Sequence, residues 1–164
     1  MHEREARISD MSGFKILSVN HTGISVSDIN EAIRFFCDGL GGSCTKPVLY
    51  TDSFIERVTG IKGAQIDIAQ VTLPGHEIEL LQYVAPQERR QSSARPCDPG
   101  HLHISLLVEG IEALIQHMDN FGFKPVGPIE VRQTSSGTVK SIYTYGFDNV
   151  VVELMDEGNS AGRH

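Results

Sequence analysis

Residues His21–Phe36 read HTGISVSDINEAIRFF, and His103–Met118 read HISLLVEGIEALIQHM. Laid one over the other, the opening His, the Val at the sixth position and the Ile at the ninth coincide. In both, an apolar stretch interrupted by Gly or Ser leads into a segment of helical periodicity. A second matched pair follows downstream: HEIELLQY (His76–Tyr83) and VVVELMDE (Val150–Glu157), each with Glu-Leu behind a β-branched residue. Self-similarity that occurs once indicates a duplicated module and not a solenoid. Each half begins with a His-bearing segment and ends with a Glu-bearing one.

The two halves also share an order of elements. Residues 16–26 alternate and are rich in Ile and Val, which predicts a strand. Asp28 stands three residues before Glu31, a capping-box spacing. Behind it Ile29, Ala32, Ile33, Phe36 and Leu40 recur on one helical face, and Gly39, Gly41 and Gly42 stop the helix. Strands are expected near 43–50, 64–73 and 77–84, with a short helical insertion over 52–60. The segment APQERRQSSARPCDPG (85–100) is polar, has three prolines and no periodicity, and reads as a linker. The second half follows with a strand at 101–109 and a helix at 111–121, on which Ile111, Leu114, Ile115 and Met118 share a face. Strands close it near 124–132, 138–146 and 149–155. The expected organisation is an N-terminal arm (1–13), a first module (14–84), a linker (85–99), a second module (100–156) and a tail (157–164). The fold class is α+β: two βαβββ modules whose curved mixed sheets form a cleft, with the helices outside.

Bulk properties narrow the function. A chain of 164 residues with 40 % apolar residues can bury a core without disulfides. Its 14 cations against 21 anions give a net charge of −7 and no basic stripe, which argues against nucleic acid. No apolar run is long enough to span a membrane, and MHEREARISDM at the start has no secretory apolar core. Cys37, Cys44 and Cys97 are odd in number and lack C-x-x-C spacing, so three free thiols and a cytoplasmic setting are expected. Cys97 has no neighbouring cation to activate it and is taken as inert.

Strand alternation places the chemistry-bearing residues. His21 shares a face with Gly23 and Ser25, and His103 with Ser105 and Leu107. Glu79 and Glu153 are carboxylates inside otherwise apolar strands. Two imidazoles and two carboxylates thus occupy duplicate positions of a duplicated module, and a two-fold relation would let them converge. Such a set suits Zn, Ni, Co, Mn or Fe and leaves positions open on an octahedral ion. Neither H-E-x-x-H nor cysteine-type zinc spacing is present. Singly, each His or Glu would more often be a solvated strand residue; the coincidence across the repeat favours a metal site.

The set NHTGISVSDINEAIRFF, HEIELLQY, GHLHISLLVEGIEAL and VVVELMDE resembles the vicinal oxygen chelate superfamily from about residue 15 to 156. That superfamily includes glyoxalase I, methylmalonyl-CoA epimerase, extradiol dioxygenases and fosfomycin-resistance proteins. The resemblance implies His21, Glu79, His103 and Glu153 as ligands of one divalent transition metal. It further implies a glyoxalase-type lyase or isomerase acting on a small carbonyl or hydroxy-acid derivative through a metal-stabilised enediolate. Glu153 is then the catalytic carboxylate, with Glu79 as its counterpart. Methylmalonyl-CoA epimerase usually carries Gln where this chain has Glu79, which leaves the substrate open. The alternatives are an extradiol dioxygenase-like oxidoreductase and a non-enzymatic small-ligand-binding protein of the resistance type. Members commonly form homodimers, and the sequence leaves open whether the halves pair within or between chains.

Several residues compete with this set. His101 lies two residues before His103 on the same face, and the superfamily pattern of His before I-x-L selects His103. Glu77 loses to Glu79 on the same ground. His76 follows Pro74-Gly75 and reads as a turn residue. Arg57 and Lys62 could meet an anionic substrate group, although a solvated charge is the commoner role. Tyr143 and Tyr145, on a strand face with Phe147, line either the cleft or the core.

Overall fold

The computed structural model describes residues 13–135 and 137–158 and has the two-module α+β architecture. In the first half, β1 (Thr22–Ser25) leads into α1 (Ile29–Arg34), followed by β2 (Ser43–Cys44), β3 (Val48–Tyr50), α2 (Ser53–Thr59), β4 (Gln65–Leu73) and β5 (His76–Ala85). In the second, β6 (Ile104–Leu107) leads into α3 (Ile111–Met118), then β7 (Lys124–Pro125), β8 (Glu130–Thr134), β9 (Gly137–Tyr145) and β10 (Val151–Asp156). The first sheet runs β1-β5-β4-β2 with β3 also on β4, and the second runs β6-β10-β9-β7 with β8 also on β9. The two sheets are copies of one plan. In each, the His-bearing strand lies at the edge and pairs in parallel with the Glu-bearing strand.

Local chemistry explains the helices. Asp28 caps α1 by accepting from the Asn30 and Glu31 N–H groups, at 2.9 and 3.2 Å, which satisfies donors the first turn leaves free. A wider π turn continues α1 through Phe35–Gly39, and Gly41 turns the chain with φ 74°. The insertion helix α2 has Asp52 as N-cap and ends on Gly60 in the left-handed conformation.

Both His-bearing strands are shorter than the alternation predicts, for one reason. The partner of Thr22 is Ile78, and β5 starts at His76, so residues before about 20 have no strand to lie against. Likewise Ile104 pairs with Val152, and β10 starts at Val151, so residues before His103 have no strand to lie against. Phe14, Ile16, Leu17 and Val19 are consequently exposed, at 60–83 %.

One core serves both modules. Phe35 at the end of α1 stacks on Phe123 behind α3, with centroids 3.6 Å apart and planes 10° apart. Phe36, Ile78, Leu80, Ile111, Met118, Val152 and Leu154 are buried in the same cluster. The helical sides of the two modules therefore meet within the chain. The opposite sheet faces, which carry His21, Gly23 and Ser25 in one half and His103, Ser105 and Leu107 in the other, are half-buried to exposed. Gly146 lies so close beneath the Phe123 ring that a Cβ there would overlap it. The modules are also tied by Asp148, whose carboxylate accepts from the Ser27 N–H at 2.6 Å and from its hydroxyl at 2.5 Å.

The cysteine expectation is corrected. Cys37 and Cys44 form a disulfide, their Cα atoms brought to 6.3 Å by the Gly41–Gly42 turn between α1 and β2; Cys97 is free and exposed. Three free thiols therefore no longer argue for a reducing compartment. No helix among the described residues is long and apolar enough to cross a membrane. The expected N-terminal arm, apart from Gly13, and residues 159–164 of the tail lie outside the described residues.

Candidate metal centre

The ladders put each His beside a Glu. Glu79 pairs with Gly23, two residues past His21, and Glu153 pairs with Ser105, two residues past His103. With the strand period of two, each imidazole shares a face with its carboxylate. His21 Nε2 lies 3.5 Å from Glu79 Oε2, and His103 Nε2 lies 3.4 Å from Glu153 Oε2. Exposure repeats as well: the side chains are 36 % and 20 % accessible in the first pair, 36 % and 19 % in the second. The duplication thus reproduces a two-residue geometry, down to a tenth of an ångström.

That geometry fits a shared ion. With metal–ligand bonds of about 2.0–2.2 Å, two donor atoms stand about 3.0 Å apart at right angles and about 3.4 Å apart at the tetrahedral angle. Each His–Glu pair is within about 0.5 Å of that range without rearrangement. The remaining atoms of each pair are held from behind. His21 Nδ1 donates to Asn20 Oδ1 at 2.7 Å, so the lone pair resides on Nε2, the nitrogen nearest Glu79. Gln70 Nε2 donates to Glu79 Oε1 at 2.8 Å, and the Ser141 hydroxyl donates to Glu153 Oε1 at 3.1 Å. Tyr143 lies across the ladder from Glu153, and its ring is 5.0 Å from that of His103.

The structure brings His21 to Glu79 and His103 to Glu153, and it does not bring the four together in one chain. Among the described residues no group of three or more His, Cys, Asp or Glu side chains is placed to hold a metal ion. The packing described above sets the helical sides of the two modules against each other, and not the two His–Glu faces. A cavity of about 420 Å³ opens where β1 and the segment before β6 face each other, lined by Thr22, Ser25, His101, His103 and Asn149.

The competitors separate from the pairs. Glu77 accepts from the Thr72 hydroxyl at 2.9 Å, and His76 opens β5 with its Nε2 3.0 Å from Thr22 Oγ1. Arg57 donates to Ser53 Oγ at 2.8 Å within α2. Of the aromatic set, Tyr143 is on the ligand face, while Phe147 packs edge-on against Phe35 and Phe123 in the core. Asn20, Gln70 and Ser141 escaped the sequence reading. Asn20 is visible as the residue before His21; Gln70 and Ser141 are recognisable only once the ladder register is known.

Comparison with known proteins agrees with this architecture. The profile of the glyoxalase/bleomycin resistance protein/dioxygenase superfamily matches residues 20–143. A 2-epi-5-epi-valiolone epimerase of an Actinomyces species is 26 % identical over 106 residues, 62 % of this chain and 57 % of that relative's length. Among solved structures, a glyoxalase family protein from Bacillus cereus superposes with a TM-score of 0.79 at 24 % identity, over 90 % of this chain and 98 % of the other. The fosfomycin resistance protein FosX from Listeria monocytogenes, in complex with Mn(II) and 1S,2S-dihydroxypropylphosphonic acid, superposes at 0.53 and 19 % identity, over 85 % and 89 %. With three quarters of its length under that profile, and the duplicated modules to match, the chain belongs to the glyoxalase/bleomycin resistance/dioxygenase superfamily.

Proposed function

We propose that this protein is a divalent-metal-dependent lyase or isomerase, and that it moves a proton on a small substrate carrying neighbouring oxygen atoms. The observation that carries the reading is the pair of matched His–Glu dyads, 3.5 and 3.4 Å across, at equivalent positions of the two modules. An epimerase among the relatives supports proton transfer, and the FosX complex with Mn(II) and a compound bearing adjacent hydroxyls supports the substrate type.

Two ligands leave a divalent ion under-coordinated, so the centre is assembled from two chains. His21 and Glu79 of one protomer meet His103 and Glu153 of its partner, and a homodimer holds two such centres. Three features favour this arrangement. Both His-bearing strands are sheet edges with one side unpaired. The dyad faces point outward. Large apolar side chains flank them with no cover in their own chain: Ile16, Leu17 and Val19 before His21, and Leu102 and Leu107 around His103.

When bound, the ion supplies Lewis acidity that stabilises negative charge on a substrate oxygen as a proton leaves the adjacent carbon. Glu153 takes that proton, with Ser141 holding its Oε1. Glu79 is its counterpart, oriented by the Gln70 amide. Asn20 keeps the His21 proton on Nδ1, so that Nε2 is free to ligate.

Elemental analysis of untagged protein tests the reading, with His103→Ala and His101→Ala beside wild type. About one transition metal per chain is expected, lost in His103→Ala and kept in His101→Ala. Solvent deuterium incorporation into α-hydroxycarbonyl compounds, followed by NMR, then tests the proton transfer. Absence of metal after reconstitution with Zn, Ni, Mn and Fe would falsify the proposal. Iron with oxygen uptake on catechols would replace it with dioxygenase chemistry.

A further inference from the structure

A second cavity, of about 330 Å³, lies beside the ligand face of the first module. Its walls include Ser25 of β1, Tyr83 of β5, Arg89, Arg90 and Gln91 of the linker, and Asp148. Ser25 and Tyr83 are on the same strand faces as His21 and Glu79. Each is about 13 Å further along, at roughly 3.3 Å per residue. The cavity and the His21–Glu79 dyad therefore lie on the same faces of β1 and β5, with Gly23 and Leu81 between them.

The chemistry of its walls is cationic. The linker has three arginines, and Arg95 is engaged by Asp98 at 3.0 Å. Elsewhere Arg34 sits over the Phe121 ring at 5.1 Å, and Arg57 bonds Ser53. Arg89 and Arg90 make no hydrogen bond or ion pair with any described residue. The one carboxylate in the wall, Asp148, already accepts from both donors of Ser27, and Glu88 does not line the cavity. Arg89 and Arg90 thus line a concave space together with Ser25, Tyr83 and Gln91. Guanidinium forks match the oxygens of a phosphate bidentately, and the added O–H and N–H donors suit its remaining oxygens.

We infer that this cavity is a phosphate subsite, and that the substrate is a phosphate monoester with its neighbouring oxygens at the metal end. The oxygen-bearing carbons would then lie within about 13 Å of the phosphorus, the strand distance between the two ends. This assignment takes the metal end from the function proposed above, but the subsite itself stands on residues outside the dyads.

Titration of metal-free protein with inorganic phosphate, by calorimetry and by ¹⁵N shifts of the arginine Nε–H groups, separates the two. Saturable binding that shifts the Arg89 and Arg90 resonances is expected, with affinity lowered about tenfold or more in Arg89→Ala/Arg90→Ala. The subsite's residues lie outside the dyads, so a failed metal reading leaves this result intact. Arg132→Ala, which removes an exposed cation on β8, should also leave it unchanged. No binding, an equal loss in Arg132→Ala, or acetate binding as tightly as phosphate would each overturn the phosphate subsite.

Discussion

Mixing two broken chains tests the shared centre directly. His21→Ala removes a ligand from the first dyad and His103→Ala one from the second, so neither homodimer has a complete set. In a mixed dimer of the two variants, one centre combines both lesions. The other takes His21 and Glu79 from the His103→Ala chain, and His103 and Glu153 from the His21→Ala chain. That centre is whole. Random reassociation of equal amounts places half the chains in mixed dimers, so the metal content should rise from near zero to about 0.25 per chain, against about 1 for wild type. The assay is elemental analysis after co-refolding from denaturant, with native mass spectrometry to count ions on the mixed species. A mixed dimer carrying no metal, while wild type carries two, would show that each chain completes its own centre and would refute the two-chain argument. Both variants replace partly exposed side chains ahead of their ladders, so neither should prevent folding.

Other consequences of the geometry can be measured separately. Asn20→Ala should lower metal affinity by about 10–100-fold with little effect on melting of the apo protein, because it frees the His21 tautomer without touching the core. Competition with a chromogenic chelator reads this, and an unchanged affinity would remove Asn20 from the site. Gly146→Ala forces a methyl into the Phe123 ring and should cost about 1–3 kcal/mol. For a chain of this size that is a fall in Tm of about 2–10 °C by calorimetry, and an unchanged Tm would mean the Phe35–Phe123 stack can shift. Asp156 is held below the usual carboxylate range by the Gly158 N–H first, then by the Gly110 and Ile111 N–H groups and nearby Lys140. Its contribution is therefore present at neutral pH and is lost as pH falls through the depressed value. Asp156→Asn should melt lower than wild type at pH 7 and converge with it in acid; a gap that persisted once the carboxylate is protonated in both states would assign the effect to shape rather than charge.

Most of the fold could be read from the chain because the duplication states each element twice. The α1 face, the Asp28 cap, the α2 insertion and the order of strands in both halves are local features, and local chemistry determines them. What was not legible depends on register. Alternation extends the strands back to residue 16 and to residue 101, yet the ladders start at Thr22 and Ile104, because β5 and β10 begin too late to pair with residues before about 20 and before His103. Gln70 and Ser141 reach the carboxylates only through the β4–β5 and β9–β10 pairings. The link between Cys37 and Cys44 was hidden for a similar reason: seven residues apart, they meet only because a π turn and Gly41 fold the chain back. The meeting of the helical sides was hidden too, since amphipathic periodicity says which face is buried and not against what.

The outward dyads make assembly and metal loading a single equilibrium in the two-chain arrangement. An ion that binds only across the interface holds the subunits together, and by linkage the subunits hold the ion. Dilution should then strip metal as effectively as a chelator does, and a chelator should dissociate the protein as dilution would. Free chains released this way expose the unpaired edges of β1 and β6 and the apolar run from Phe14 to Val19. Such edges recruit other strands without regard to identity. Metal supply would thus govern how long the protein stays in solution, beyond how fast it turns over.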